Sequence, residues 1–265
     1  MTLVQIIVLA VIQGLTEFLP VSSSAHLILG GKVFGWPDQG LVFDVATHLG
    51  TLFAVLFYFR RDLVEMAKAW FGPVRSDADR QHRNRVLYLA VASLPALLVG
   101  FLAHDWVELY MRDVRIIAWT TIGFGLLLWI SDAVAPKQRS IDEIRLGSAL
   151  LIGIAQVLAL VPGTSRSGVT ITAGRFLGFT PEAAARFSFL LSIPIVGAAG
   201  AYGALSVATG DAPINWMQFM LAFLLAAVAG WVCIAAFLAL LQRVGLLPFV
   251  IYRLLLGVGL LWLLN

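Results

Sequence analysis

Gln13-Gly14-Leu15-Thr16-Glu17-Phe18-Leu19-Pro20-Val21-Ser22-Ser23-Ser24-Ala25-His26 is a polar island between two apolar runs. A second island, Gln156-Val157-Leu158-Ala159-Leu160-Val161-Pro162-Gly163-Thr164-Ser165-Arg166-Ser167-Gly168, has the same plan: apolar run, Gln, Leu, Pro, hydroxyl cluster, apolar run. The first carries an acid and an imidazole, the second an arginine. An ionisable group at bilayer depth costs roughly 2.5–3.5 kcal/mol or more, so it marks a candidate functional site. Together the two islands offer complementary chemistry for a phosphate.

The surrounding sequence makes bilayer depth the right frame. Of 265 residues, 60% are hydrophobic and 12% charged, and the mean hydropathy is +0.91. Soluble globular chains carry about 25% charged residues. Long apolar runs rather than alternation exclude a transmembrane barrel. The composition therefore predicts an all-α polytopic membrane protein. No polar segment is long enough to fold separately, so residues 1–265 form a single integral membrane domain. The net charge of +3 is modest and does not imply nucleic acid. Cys233 is the lone cysteine, which excludes a disulfide framework and a thiolate metal site. The first apolar run meets Gln13 and Glu17 rather than a small-residue cleavage site, so it reads as structure and not as a secretory signal.

Segments 41–59, 86–103, 115–134, 186–207, 216–240 and 247–264 each approach the ~20 residues needed to cross the hydrocarbon layer. The segments 3–19, 22–35, 146–161 and 168–178 are shorter or broken, and they flank the islands. Irregular backbone at membrane depth is tolerated only inside protein or along a cavity. The expected architecture is therefore six transmembrane helices plus two re-entrant helical hairpins, each with an island at its tip. Lys and Arg set the orientation. With the 60–85 loop in the cytoplasm, that side holds fourteen: Arg60, Arg61, Lys68, Arg75, Arg80, Arg83, Arg85, Lys137, Arg139, Arg145, Arg175, Arg186, Arg243 and Arg253. The other side keeps three, Lys32, Arg112 and Arg115, and Arg166 lies at a tip. The first hairpin then enters from outside, the second from the cytoplasm, and both termini lie outside. This is an inverted-topology repeat, with halves of about 1–110 and 111–265. Gly31-Lys32-Val33-Phe34-Gly35 echoes Gly174-Arg175-Phe176-Leu177-Gly178, and matching broken helices point to a central site.

Gln13 and Glu17 are four residues apart and share a helix face. Pro20 and Pro162 end the incoming helices, and the serines after them suit N-caps. Each outgoing helix then presents free N–H groups and a positive dipole end to an anion. Arg166 can clamp phosphate oxygens bidentately. Glu17 can hold a divalent cation, for which oxygen ligands are preferred; Gln13 and Asp44 are the further candidate ligands. Ser23 is the candidate nucleophile or water-orienting hydroxyl, and His26 the candidate proton carrier. Ser22, Ser24, Gly163, Thr164, Ser165 and Ser167 are candidate substrate-binding positions. The bland readings are a structural Glu17 bonded to Gln13 and Thr16, serines that only cap, and a packed His26. Asp44 and His48 share a face and can simply line a vestibule. The basic 60–85 loop reads as a solvated face toward anionic lipid. Tyr58, Trp70 and Trp106 read as interface anchors. Gly197, Gly200 and Gly203 form a small-residue seam for helix packing or for a homodimer.

Glu17-Phe18-Leu19-Pro20-Val21-Ser22-Ser23-Ser24-Ala25-His26 together with Pro162-Gly163-Thr164-Ser165-Arg166-Ser167-Gly168 closely resembles the undecaprenyl-diphosphate phosphatase family, bacterial enzymes linked to bacitracin resistance. The resemblance extends over the whole chain in length, span order and basic first loop. It implies hydrolysis of undecaprenyl diphosphate, a polyprenyl diphosphate lipid, to the monophosphate carrier reused in peptidoglycan synthesis. It also implies dependence on Mg²⁺ or Ca²⁺, residence in the bacterial inner membrane among membrane lipids, and a site open to the periplasm. On the matching positions it implies Glu17 as essential acid, Ser23 as nucleophile, His26 as base and Arg166 as phosphate clamp. Two positions depart from the family pattern: Gln13 stands where a second glutamate is common, and Ala25 where glycine is. The phosphatidic-acid-phosphatase signature is not matched, because Thr172 stands six residues after Arg166 where a histidine is required. A lipid transporter is the competing class, since inverted repeats and midplane charges are transporter architecture. An acid, serines and a histidine at one site favour chemistry over transport.

Overall fold

Where apolar runs give way to Pro20 and Pro162, the chain turns back on itself. The computed structural model describes residues 1–111, 113–210 and 214–263, except for the side chains of 28–33, 104–106, 108 and 109. The side chains of Lys32 and Trp106, and all of Arg112, lie outside the described residues. Helix α1 (Leu3–Phe18) starts at a capping box between Thr2 and Gln5 and stops just before Pro20. Helix α2 (Ser23–Phe34) returns beside it. Helices α3 (Leu41–Tyr58), α4 (Arg60–Phe71), α5 (Asp77–Tyr110) and α6 (Val114–Val134) follow. The second hairpin is α7 (Leu146–Gln156), a 3-10 turn (Val157–Leu160) and α8 (Arg166–Phe176). Then come α9 (Pro181–Thr209), α10 (Trp216–Val244) and α11 (Leu247–Trp262).

Among the described residues five helices are long and apolar enough to cross a membrane: α3, α5 through Ala103, α6, α9 and α10. The expected sixth crossing, 247–264, is the 16-residue α11. At ~1.5 Å per residue it reaches only about 24 Å, short of the ~30 Å hydrocarbon layer. It packs along α6. Side chains such as Phe101, Leu102 and Met217 stand more than four-fifths exposed, which suits a lipid-facing surface.

Each hairpin is clasped by a long helix from the other half of the chain. Helix α10 packs on α1 and α3, while α5 packs on α7 and α9. Glycine makes these approaches possible. A Cβ on Gly14 would come within 2.7 Å of the Ala226 carbonyl of α10, and one on Gly153 within 2.4 Å of the Ala92 carbonyl of α5. Close backbone approach is how membrane helices gain dispersion contact where no hydrophobic driving force separates protein from lipid. The Gly197, Gly200 and Gly203 seam is used inside the chain, on Leu52, Leu49 and Val45 of α3. An aromatic chain, Phe18 to Phe189 to Phe237 to Phe249, runs through the main core. Phe18 follows Glu17, so this core begins directly at the first hairpin tip.

Two arginines counted above on the side of the 60–85 loop lie inside the protein. Arg175 and Arg253 are both fully buried. Arg175 bonds Asp132 Oδ1 at 3.0 Å and the carbonyls of Ala135, Pro136 and Phe179. Arg253 reaches the two hairpin tips.

Candidate functional site at the two hairpin tips

The tips meet. Arg166 Nη2 donates to Glu17 Oε1 at 3.1 Å, across 149 residues of sequence. The same nitrogen reaches the Glu17 carbonyl at 3.4 Å, and Nη1 donates to the Ser188 carbonyl of α9 at 3.1 Å. Ser167 Oγ donates to the Leu19 carbonyl at 2.8 Å, a second cross-link between the loops. The side chains of Arg166 and Glu17 are 12% and 9% exposed, so the pair is shielded yet reachable. A guanidinium has five N–H donors. These three bonds leave two for a ligand.

The two loops share one backbone device. Among the described residues Ser22 and Ser165 are the non-glycine residues with positive φ, at 71° and 70°. Each is the N-cap of its outgoing helix. Each hydroxyl meets the one two residues on: Ser22 with Ser24 at 3.1 Å, Ser165 with Ser167 at 3.2 Å. Such a backbone conformation costs of order 1–3 kcal/mol and persists only where the surroundings enforce it. The residue after each strained serine is a candidate site residue: Ser23 in one loop, Arg166 in the other. Ser165 also accepts from the Gly168 N–H, an ordinary N-cap bond.

Glu17 gathers the first loop. Gln13 Nε2 donates to Glu17 Oε2 at 2.9 Å, and Ser23 Oγ donates to the same oxygen at 3.3 Å. Thr16 bonds the Ile12 carbonyl instead. His26 does not bond Ser23. Its Nδ1–H donates to the Ser22 carbonyl at 2.7 Å. A carbonyl only accepts, so this fixes the tautomer with the lone pair on Nε2. That nitrogen faces the Tyr252 hydroxyl at 2.5 Å, with the two rings stacked. The proton acceptor that the geometry gives Ser23 is therefore Glu17. Thr164 is fully buried and its hydroxyl has no hydrogen-bond partner. Gly163 has φ +89°, and a Cβ there would strike Thr120 Oγ1 and the Ile117 carbonyl.

A cavity of about 770 Å³ opens beside these groups. Gln13, Ser23, Ser24 and Pro162 line it together with Trp36, Asp38, Gln39, Asp44, His48 and Asp113, whereas Glu17 and Arg166 lie behind Gln13 and Ser23 and are not among its described lining residues. Asp44 accepts from Gln39 Nε2 at 3.0 Å, and the His48 ring bonds the Asp44 carbonyl. This volume is within the range of small-molecule sites.

A divalent cation fits the donor set in part. Gln13 Oε1 is buried and has no hydrogen-bond partner, and it belongs to the side chain that bonds Glu17. Among the described residues no three His, Cys, Asp or Glu side chains cluster to hold an ion. Gln13 and Glu17 would supply two oxygens, and substrate phosphate and water the rest, the pattern usual for Mg²⁺.

Four contributors carry no local signal as part of the two polar islands. Arg253 and Tyr252 of α11 reach the first loop, and Thr120 and Thr121 of α6 donate to the Pro162 and Gly163 carbonyls at 2.7 and 3.3 Å. An arginine in the apolar run Phe249-Val250-Ile251-Tyr252-Arg253-Leu254 carried the same warning as Arg166. Nothing local distinguished the threonines from ordinary helix hydroxyls.

A family model described as bacitracin resistance protein BacA matches residues 6–259. Undecaprenyl-diphosphatase 1 of Pseudoalteromonas translucida (strain TAC 125) is 49% identical over 260 residues, covering 98% of each chain. Undecaprenyl-diphosphatase 2 of Stutzerimonas stutzeri (strain A1501) is 52% identical over 265 residues, again covering 98% of each. Undecaprenyl-diphosphatase of Teredinibacter turnerae (strain ATCC 39867 / T7901) is 48% identical over 258 residues, with 97% of this chain and 98% of that one covered.

Proposed function

Because this chain belongs to the bacitracin resistance protein BacA family, we propose that it hydrolyses undecaprenyl diphosphate to undecaprenyl phosphate and inorganic phosphate. The observation that carries the proposal is the Glu17–Arg166 pair, which joins an acid, a serine and a phosphate-binding cation beside one cavity. The reaction frees a carrier lipid for cell-wall synthesis, and that accounts for the resistance in the family's description.

The terminal phosphate sits between the loops. The two unused N–H donors of Arg166 and the N-termini of α2 and α8 meet its oxygens, stabilising charge that builds in the transition state. Ser23 Oγ attacks the terminal phosphorus. A new O–P bond forms, the bridging O–P bond breaks, and undecaprenyl phosphate leaves with that bond's electrons. The serine proton passes to Glu17 Oε2. Water then cleaves the phosphoserine, releasing phosphate and returning the serine to its hydroxyl form. His26 holds the Ser22 carbonyl and so supports the strained turn that presents Ser23. Gln13 and Glu17, with Asp44 as a further candidate, would hold Mg²⁺ or Ca²⁺, which would supply positive charge to the phosphate.

We place the protein in the bacterial inner membrane with the cavity open to the periplasm. Without Arg175 and Arg253, twelve Lys and Arg still favour the side of the 60–85 loop. The paired positive-φ serines and the crosswise clasp of α5 and α10 support an inverted repeat. On that reading α11 is a sixth, thinned crossing.

The test is phosphate release from undecaprenyl diphosphate by purified protein in detergent, with and without Mg²⁺ or Ca²⁺. Cation-dependent release is expected, lost in Glu17→Ala and Arg166→Ala. No release from folded protein, with lipid movement across vesicles instead, would replace hydrolysis by transport.

A further inference from the structure

Arg253 sits where a charge is hardest to keep. Its guanidinium is fully buried, and its three hydrogen bonds all go to backbone carbonyls. Nε donates to Thr121 at 3.1 Å, Nη1 to Pro20 at 3.2 Å and Nη2 to Gly163 at 2.9 Å. The contrast with Arg175 is instructive. That side chain is equally buried but has Asp132 at 3.0 Å. Among the described residues no carboxylate bonds Arg253. A buried charge left without a counter-ion costs several kcal/mol, so its persistence asks for a use.

Its partners are equivalent positions. Pro20 lies two residues before the positive-φ Ser22, and Gly163 two residues before the positive-φ Ser165. One guanidinium thus ties the same point of both loops. Ser23 and Arg166 each come one residue after the strained serine, so the tie sets how they face each other. Space is cleared for it. A Cβ on Gly168 would lie 2.9 Å from Nη1, and one on Gly125 3.1 Å from the Arg253 Cβ. Charge leads to the same residue. Arg166 is paired with Glu17, so that pair brings no net charge to the site. An incoming diphosphate is strongly anionic, and beside any divalent cation it would meet in Arg253 a protein charge that no carboxylate among the described residues neutralises.

Resting on the phosphatase reading above, we propose that Arg253 is a positioning residue for the reaction. It locks the two loops in register and supplies the unneutralised positive charge behind the phosphate site. It does not touch the reacting atoms. A purely structural arginine would affect folding alone.

The experiment uses the full chain in detergent, with Arg253→Lys and Arg253→Ala beside the parent. Lysine keeps the charge but cannot hold three divergent carbonyls in a planar fork. Arg253→Lys should melt near the parent, keep KM within about threefold and lose about 100-fold in kcat, the scale of an ångström's misplacement. Arg253→Ala should bind inorganic pyrophosphate, followed by thermal stabilisation, at least ~10-fold more weakly. Millimolar guanidinium should restore part of its turnover, while equal sodium should not. If Arg253→Ala does not fold, Arg253→Lys carries the decision. Parent-like kcat in Arg253→Lys, or parent-like pyrophosphate binding in folded Arg253→Ala, overturns the proposal. A parent that releases no phosphate refutes the phosphatase reading separately, and the pyrophosphate arm still decides Arg253.

Discussion

Removing Arg166 should do two separable things. The pair is 3.1 Å long and both side chains are about nine-tenths covered. Breaking a buried pair from one side costs about 3–5 kcal/mol, mostly for the charge left behind. Here the stranded Glu17 keeps donors from Gln13 and Ser23, and hydrogen bonds to a charged group are worth about 1.5–3 kcal/mol each. The stability loss in Arg166→Ala should therefore fall to about 2–3 kcal/mol. The activity loss should be larger in kind, about 10²–10³ in kcat, the scale for one lost oxyanion donor. Adding Glu17→Gln removes the stranded charge. The double variant should recover stability relative to Arg166→Ala, with a coupling of about 1–3 kcal/mol, yet recover no turnover. Denaturant titration in detergent measures the first quantity and phosphate release the second. A coupling below about 0.5 kcal/mol, or near-normal turnover in Arg166→Ala, would refute the paired-clamp account.

Gln13→Glu adds a carboxylate beside Glu17. Apparent cation affinity should tighten by about tenfold with activity retained, and an unchanged cation titration would remove Gln13 from the ligand set. Ser22→Val should be about 1–3 kcal/mol less stable than Ser22→Gly, because a β-branched residue tolerates φ of 71° badly; equal melting of the two would show that the turn relaxes. Arg175→Ala leaves Asp132 paired with Lys137 alone, at 3.3 Å, and should lower stability by about 1.5–3 kcal/mol with little change in KM, measured by melting and by steady-state kinetics. In cells, a thiol reagent confined to the periplasm should label Asp38→Cys at the cavity rim and spare Arg75→Cys; the reverse pattern would invert the orientation.

Much of the site was legible before any coordinates. Glu17 and Arg166 stood out because a charge in an apolar run demands a reason, and the two loops were aligned by their shared Gln, Pro and hydroxyl order. The structure brings those two residues into contact. Local chemistry could not assign partners. Ser23 and His26 are three residues apart and share a helix face, yet the serine turns to Glu17 while the histidine is held by Ser22 and Tyr252. The positive φ at Ser22 and Ser165 was also hidden, since serine at an N-cap normally takes extended backbone.

Apolar run length, the placement of proline and the cost of buried charge are local quantities, and from them the sequence by itself determined a helical membrane protein with two broken hairpins and a polar, charge-bearing tip on each. That a second arginine reaches both tips was decided only in three dimensions. Arg253 is a lone charge in an apolar run of the chain, but it meets Gly163 from 90 residues away and Pro20 from 233. Hydrogen bonds spanning such separations leave no periodic trace. They exist because α11 lies along α6, with Gly125 opening the space for the arginine, and because α5 and α10 each clasp the hairpin of the opposite half.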